Sequence, residues 1–308
     1  MELRHLRYFV AVADELNVTR AASRLNVAQP ALSHQIKNLE REVGAPLFAR
    51  LSRGVALTAP GTRFAEDARA ILAAVHAASE RARRAAAGEV GRICIGFTGS
   101  ASFHPSVTGA IRDYRTAYPD VHVDLVEEPT TDLLAGLKAG RVDAAFVRPA
   151  PGEVDAFWSR HLLDEPMVVA APAGHPVAGR GTVALAELAG EAFILYPRRN
   201  GRGLHDRIMA ACEAAGFTPR VAQDAPQLTS VVNLVATGIA LSIVPASMDR
   251  LATEGVTYLR IQENAPTAPM ALARPRTRDN PAGEAFAAVA SARFGGGFRP
   301  GQAAGQVR

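Results

Sequence analysis

The spacing of apolar residues changes near Gly91, and this change divides the chain of 308 residues into two parts. Before Gly91, apolar residues recur every three or four positions, which is the spacing of one helix face. After Gly91, short apolar or β-branched runs alternate with helical patterns, as in a doubly wound α/β protein. Because a compact domain usually holds roughly 100 to 200 residues, we expect more than one folded unit.

The second part alternates strands and helices over most of its length. We predict strands at residues 93–97, 121–126, 144–147, 167–171, 193–195, 241–244 and 270–273, and helices near 103–117, 130–139, 204–215 and 227–237. This order predicts an α/β domain over 91–294, split into two subdomains. The last strand lies too far along the chain to extend the second subdomain, so we expect it to return to the first. The predicted boundaries are 91–162 with 269–294 for subdomain I, 163–268 for subdomain II, and 295–308 for a disordered, glycine-rich tail.

The first part predicts a small helical domain that ends in a β-hairpin. A first helix is expected at the N-terminus and a second near 21–25, with Thr19 as its N-cap. A third helix has Pro30 in its first turn and ends near Gly44, and residues 50–57 predict two short strands around a glycine turn. Three helices and a hairpin match a winged helix-turn-helix over 1–58 better than any other small architecture. A helical module that binds nothing is the alternative.

The third helix has an apolar face and a polar face. The apolar stripe consists of Leu32, Ile36, Leu39 and Val43. The polar face presents side chains that can contact phosphates and base edges, and the hairpin adds two arginines. The predicted DNA-binding residues are Gln29, Pro30, Ser33, His34, Lys37, Arg50 and Arg53.

The distribution of charge agrees with a nucleic-acid partner for the first part. Residues 1–90 carry 13 Lys and Arg against 9 Asp and Glu, whereas residues 91–308 carry 21 of each sign. Lys and Arg neutralise phosphates and release counterions, so a basic N-terminal part favours a polyanion such as double-stranded DNA.

A long linker helix is predicted over 59–88, with an apolar seam at heptad spacing. Charged neighbours flank this seam, so it can pair with the same helix of a second copy. We favour a dimer because a thin, alanine-lined seam beside a small domain has no large core of its own to cover. Packing within one chain is the alternative. The predicted dimerisation residues are Phe64, Ala68, Ile71 and Val75.

In the α/β part, polar residues stand where predicted strands end and helices begin, and an arginine-rich loop precedes the third helix. Helix N-termini attract anions, and open α/β folds bind ligands at this edge of the sheet. We therefore expect a small carboxylate effector between the subdomains, with one carboxylate facing each. Ordinary helix caps and a solvated basic loop are the alternatives. The predicted effector-binding residues are Thr98, Gly99, Ser100, Thr130, Arg199, Arg202 and Leu204.

Catalysis and metal binding have no support in the sequence. No nucleophile elbow, zinc-protease motif or phosphate loop is present, and the histidines are scattered without ligand spacing. Glu127 and Glu128 are adjacent in a predicted strand, where neighbouring side chains point to opposite faces, so a shared acid/base role is not expected. Cys94 and Cys212 lie far apart in apolar stretches and are expected to be free thiols. We predict a protein that is not an enzyme and has no metal or cofactor.

The sequence also gives no sign of a membrane partner. No apolar run approaches the roughly 18 residues of a membrane span. The N-terminus lacks the apolar region of a secretory signal, so we expect a cytoplasmic protein.

The first 61 residues resemble the LysR-type transcriptional regulators. The matching positions are Ala21, Ala22, Leu25, Gln29, Pro30, Leu32, Ser33, Gln35, Ile36, Leu39, Glu40, Gly44, Leu47, Phe48, Arg50, Leu57, Thr58 and Gly61. The rest of the chain, to about residue 294, is similar to the effector domain of the branch that regulates aromatic-compound catabolism. The markers there are residues 96–100, 140–143, 165–166, 175–176, 193–198, 234–238 and 244–245.

The resemblance implies a winged helix-turn-helix, a dimerising linker helix and two Rossmann-like subdomains that resemble a periplasmic binding protein. It also implies promoter binding as a homo-oligomer, a dimer or commonly a tetramer, with a small molecule in the cleft that changes transcription. Effector contacts in relatives lie at the positions of Ser100 and Thr130. Two residues depart from the family pattern: His34 stands where Arg is frequent, and Pro60 stands where Ala is common.

The leading prediction is a DNA-binding regulator that responds to a small organic acid, with aromatic acids and ring-cleavage products as examples. The alternative is a solute-binding or enzymatic α/β domain with an incidental helical N-terminus, which would need a signal peptide or a catalytic set that the sequence lacks.

Overall fold

A computed structural model describes residues 1–52, 54–276 and 280–295. The chain divides into two compact units, Met1–Arg84 and the remainder from Ala85 onward. Arg53, predicted to contact DNA, and the predicted tail after residue 295 lie outside the described residues. In the described part, no helix is both long and apolar enough to cross a membrane.

The first unit has the predicted winged helix-turn-helix fold. Its elements are α1 (Leu3–Glu15), α2 (Val18–Arg24), α3 (Gln29–Val43), β1 (Phe48–Arg50), β2 (Val55–Leu57) and α4 (Ala59–Ala86). The strands β1 and β2 pair antiparallel. The predicted apolar stripe of α3 packs against α1, because Leu32, Leu39 and Phe9 are fully buried in one cluster.

The start of α2 differs from the prediction. Asn17, not Thr19, is the N-cap, and its side chain accepts hydrogen bonds from the backbone N–H groups of Thr19 and Arg20 at 3.0 and 3.1 Å. An Asn side chain at the N-cap reaches the second and third N–H groups of the helix, and Thr19 already lies inside the first turn. The end of α3 is as predicted, with Gly44 in the left-handed conformation at φ 78°.

The second unit has a mixed α/β fold. Its strands are β3 (Gly91–Phe97), β4 (Val121–Glu127), β5 (Ala144–Val147), β6 (Trp158–Pro172), β7 (Thr182–Val183), β8 (Ala192–Leu195), β9 (Arg220–Asp224), β10 (Ser242–Pro245), β11 (Val256–Ile261) and β12 (Thr267–Arg274). Its helices are α5 (Gly99–Ser102), α6 (Pro105–Ala117), α7 (Thr130–Ala139), α8 (Arg202–Ala214), α9 (Leu228–Ala236) and α10 (Pro281–Phe294).

The large sheet runs in the order β4-β3-β5-β12-β6-β11-β7, and β10 also pairs with β6. We call the part built on β3, β4 and β5 the first half, and the part built on β7 to β11 the second half. The chain returns to the first half through β12, which pairs antiparallel with β5. The long strand β6 serves both halves, because its first part pairs with β12 and its last part pairs with β10 and β11.

Each half has its own apolar core. The core of the first half contains Ile93, Ile95 and Phe286, whereas that of the second half contains Phe193 and Val231. Two cores joined by shared strands give the predicted two-subdomain α/β fold.

Several elements were not expected from the sequence. All residues of β9 are exposed, so the strand carries no apolar alternation. Helix α10 buries residues on most of its sides and therefore shows no single apolar stripe. The first part of β6 is mostly exposed or half-buried, which hides it from a search for apolar runs.

Candidate functional site

A cavity of about 200 Å³ lies where β3, β4 and β5 end. The second half contributes the loop before α8 and the start of α9, so residues of both halves line the cavity. This is the edge at which open α/β sheets bind ligands. The volume is below the roughly 300 to 1,000 Å³ of sites for drug-sized molecules, so it favours a small metabolite.

Most of the predicted effector-binding residues lie at this cavity, and two do not. The residues in its lining are Thr98, Gly99, Ser100, Thr130 and Leu204. Arg199 is exposed and is not part of the lining. Arg202 is directed to Glu153, with Nε 2.9 Å from the Glu153 Oε1 atom. A nearby carboxylate therefore holds the guanidinium that we expected to reach the ligand.

Arg148, which the sequence analysis did not single out, lies at the centre of the site. It follows β5, and its side chain is only 1% exposed. Its Nε atom donates to Ser100 Oγ at 2.8 Å, and its Nη1 atom donates to the carbonyl of Ala268 at 2.9 Å. Its Nη2 atom donates to Glu165. The signal that could have identified Arg148 is its place directly after a buried strand, the same signal that identified Thr98.

Glu165 completes a buried ion pair. It is 5% exposed, and its second oxygen accepts a hydrogen bond from the backbone N–H of Ser247 at 2.6 Å. Burial lowers the pKa of the Arg148 guanidinium, and the Glu165 carboxylate opposes this effect. The guanidinium group is not deprotonated in proteins, so Arg148 keeps its charge. The pair thus links the end of β5 in the first half to the segment after β10 in the second half.

Arg148 also fixes the direction of two hydroxyl groups. Its backbone N–H donates to Thr130 Oγ1 at 3.2 Å, and its Nε donates to Ser100 Oγ. Guanidinium and backbone N–H groups only donate, so both hydroxyl oxygens must accept. The hydroxyl hydrogens of Ser100 and Thr130 are therefore left to donate to another acceptor.

Two helix N-termini meet at the same place. Neither α7 nor α8 has a side-chain cap at its N-terminus. The hydroxyl of Thr131 lies 3.5 Å from the carbonyl of Asn200, which brings the two helix starts together. Gly203 permits the start of α8 to lie close to the segment after β5, since a Cβ atom there would lie 2.4 Å from the Arg148 carbonyl. Uncapped N–H groups and the helix dipole both favour an anion here.

Acidic residues also line the cavity. Both Glu127 and Glu128 reach it, although adjacent strand residues were expected to face opposite ways. The reason is that β4 ends at Glu127, so Glu128 is already beyond the strand. Within the described residues, no set of three or more His, Cys, Asp or Glu side chains could hold a metal ion.

The predicted DNA-binding face lies in the first unit, on the exposed side of α3. Gln29, His34 and Lys37 are exposed, and the Gln29 side-chain amide donates to Ser33 Oγ at 2.9 Å. Pro30, in the first turn of α3, and Arg50, on β1, are also exposed. The carboxylate of Glu40 accepts hydrogen bonds from the backbone N–H groups of Leu47 and Phe48 at 2.8 and 3.0 Å. This contact holds the hairpin against α3.

The four residues of the predicted dimer seam on α4 fall into two groups in the structure: two pack within their own chain, and two are partly or largely exposed. Ala68 is fully buried in the core of the first unit, and the Phe64 ring lies 5.0 Å from the Phe9 ring. These two residues therefore cover a core of their own chain, which we had not expected so small a domain to offer. Ile71 remains 45% exposed and Val75 is half-buried.

Comparison with known proteins identifies both units. Residues 3–62 match the model of the bacterial regulatory helix-turn-helix protein, lysR family, and residues 86–295 match the LysR substrate binding domain. The chain is 39% identical to the HTH-type transcriptional regulator YnfL of Escherichia coli (strain K12), over 93% of this chain and 96% of that protein.

Two solved structures also match over nearly the whole chain. The crystal structure of CbnR, a LysR family transcriptional regulator, superposes with a TM-score of 0.80 at 30% identity, covering 94% of this chain and 100% of CbnR. Full-length CbnR in complex with its target DNA gives a TM-score of 0.78 at 29% identity, covering 96% of this chain and 100% of CbnR.

Proposed function

The chain belongs to the LysR family of bacterial transcriptional regulators, and we propose that a small carboxylic acid in the Arg148 cavity modulates its activity at a promoter. It is a DNA-binding transcription regulator with an effector-binding domain, and it is not an enzyme. The relatives reported above are likewise named as regulators, which sets aside the alternative of an enzymatic domain with an incidental helical module.

The observation that carries the proposal is the orientation of the Ser100 and Thr130 hydroxyls. Both oxygens accept hydrogen bonds from Arg148, so both hydrogens are available to an acceptor in the cavity. A carboxylate has acceptors only, and the uncapped N-termini of α7 and α8 favour its charge. The ligand group that satisfies all these donors at once is a carboxylate.

The effector carries a single carboxylate rather than one for each half. The two-carboxylate prediction relied on Arg199 and Arg202, and neither lines the cavity. Glu127 and Glu128 do line it, so a second carboxylate would add to an existing negative charge.

For DNA we propose that the polar face of α3 enters the major groove and that the chain acts as a homo-oligomer, a dimer or a tetramer. The proposal is supported by the exposed donors on α3 and by the full-length match to CbnR in complex with its target DNA. A two-fold protein reads two half-sites, which gives more discrimination than one.

Calorimetry on the full-length chain with a panel of small monocarboxylic acids tests the effector proposal. Ser100→Ala and Thr130→Ala should each weaken the best-binding acid by about 0.5 to 3 kcal/mol, because each removes one donor to a charged acceptor. Thr116→Ala, on the exposed side of α6, is the matched control and should leave binding unchanged. A panel without any binder, or binding indifferent to both substitutions, contradicts the proposal.

A further inference from the structure

The cavity lining contains two carboxylates that no cation balances. Arg148 is the cation in the lining, and it is already paired with Glu165. Glu127 and Glu128 form no ion pair in the described part of the chain. A site built only for a simple carboxylate would not place two further negative charges beside it, because like charges disfavour the ligand.

Two buried oxygen atoms at this side of the cavity lack hydrogen-bond partners. They are Thr98 Oγ1 and Glu128 Oε2, and neither has a partner within the described residues. Thr98 is only 7% exposed, yet it lines the cavity. Buried polar groups in proteins are nearly always satisfied. The Glu128 oxygen can only accept, so it needs a donor, whereas the Thr98 hydroxyl can accept or donate; the described residues supply neither with a partner.

The two oxygens belong to neighbouring positions. The strands β3 and β4 are parallel, with Phe97 opposite Glu127. Thr98 follows Phe97 at the end of β3, and Glu128 follows Glu127 at the end of β4. Both residues therefore lie just beyond the paired ends of the two strands. Both residues also line the cavity.

We infer that the effector is an amino acid, whose ammonium group binds Glu128 and Thr98 while its carboxylate binds Ser100 and Thr130. An ammonium group has three donors and a positive charge, so it satisfies both oxygens and offsets the acidic lining. A hydroxyl group has one donor and no charge. The inference rests on the carboxylate site proposed above.

The remaining lining indicates the side chain of that amino acid. The second half lines the cavity with Tyr196, Leu204 and Leu228 and with the polar residues Asn200, Gln227 and Thr229, and none of these carries a charge. An uncharged side chain would pack there, and a charged side chain would lose its hydration without a partner. The ligand class is thus an amino acid with an uncharged side chain.

Matched pairs of probes test the inference on the full-length chain by calorimetry. The pairs are 2-aminobutyrate with butyrate, valine with isovalerate, and phenylalanine with 3-phenylpropionate, so that the members of each pair differ by the amino group. We expect the amino acid of the best-fitting pair to bind roughly tenfold or more tightly than its partner, as a charge-assisted hydrogen bond provides. Glu128→Gln should remove most of that preference while leaving the binding of the plain acid equal or stronger.

Glu213→Gln is the matched control, since Glu213 is exposed on α8 and does not line the cavity. It should leave the preference unchanged. If the plain acids bind as tightly as the amino acids, or if the preference survives in Glu128→Gln, the inference is wrong and the carboxylate proposal stands. If no member of any pair binds and Ser100→Ala has no effect on any carboxylic acid, both the proposal and the inference fail.

Discussion

Arg148 carries a full charge on a side chain that is only 1% exposed, and Glu165 is the carboxylate that compensates it. Removing one partner of such a pair leaves the other charge buried and uncompensated. We expect Arg148→Met to lower the free energy of unfolding by about 3 to 5 kcal/mol. The double variant Arg148→Met with Glu165→Gln should lose less, because the remaining carboxamide is neutral.

Urea unfolding of the three proteins measures this difference. The control is Arg198→Met, which breaks the exposed pair of Arg198 with Asp206 and should leave the free energy of unfolding nearly unchanged. Equal stability of Arg148→Met and the wild type would show that the buried pair contributes nothing.

We expect the free energy of unfolding to depend on pH through His104. Its Nδ1 atom accepts a hydrogen bond from the Ser106 backbone N–H at 3.2 Å and thereby caps α6. Burial lowers the pKa of His104; Glu165 opposes this shift, whereas Arg148 and Arg250 add to it. The unfolded chain therefore takes up a proton first, below about pH 6.5, and the folded chain loses stability as pH falls further.

The replacement His104→Asn keeps a capping acceptor that does not titrate. Thermal unfolding measured between pH 7.5 and 5 should show that Tm falls less with decreasing pH in His104→Asn than in the wild type. His122→Asn, at an exposed position on β4, should follow the wild type. Parallel pH curves for wild type and His104→Asn would rule out this role.

Single residues were predictable from sequence where their position alone defined them. Thr98, Ser100 and Thr130 stand between the ends of predicted strands and the starts of the following helices, and all three line the cavity. The pairing of Arg148 with Glu165 was not predictable, because it depends on β12 and β6 lying side by side. Nor could sequence show that Glu153 holds Arg202.

Among the elements, α4 combines two roles along its length. Its first turns pack on the first unit through Ala65 and Ala68, whereas Ile71 is exposed one turn later. We expect Ile71→Asp with Val75→Asp to yield monomers, since pairing of two copies would bury unpaired charges. Light scattering measures the mass.

Ala68→Asp separates the two roles of α4. It places a charge in the core of the first unit and should lower the Tm more than the double variant at Ile71 and Val75 does, because Ala68 is fully buried within its own chain whereas Ile71 is exposed. An unchanged mass for the double variant would mean that this part of α4 does not form the interface between copies.

Elements with strong periodicity were predictable, and elements that depend on tertiary contacts were not. The apolar stripe of α3 and the buried run of β5 carry their own signal. The exposed strand β9 exists because β8 offers it a partner, and α10 because both α6 and β12 lie against it. Such elements need a neighbour whose position the sequence alone does not reveal.

For the whole molecule, the excess positive charge belongs to the first 90 residues, which carry 13 basic and 9 acidic side chains. Promoter affinity should therefore fall steeply with salt, and Lys37→Gln should reduce the slope of log affinity against log salt by about 1. Lys138→Gln is the matched control, because Lys138 is an exposed lysine on α7 of the effector-binding unit. If fluorescence anisotropy titrations give both variants the same slope of log affinity against log salt, Lys37 does not contact the DNA.

The strand β6 joins the two halves of the effector-binding unit. Its partner changes from β12 at Pro166, opposite Thr267, to β10 at Met167, opposite Pro245. Proline restricts its φ angle to about −65°, so the backbone at this change of partner has little conformational freedom. Glu165 is the residue just before this change, and Arg148 connects it to Ser100 in the cavity. The Ser100 hydroxyl is therefore only two side chains away from the step at which the sheet passes from one half to the other.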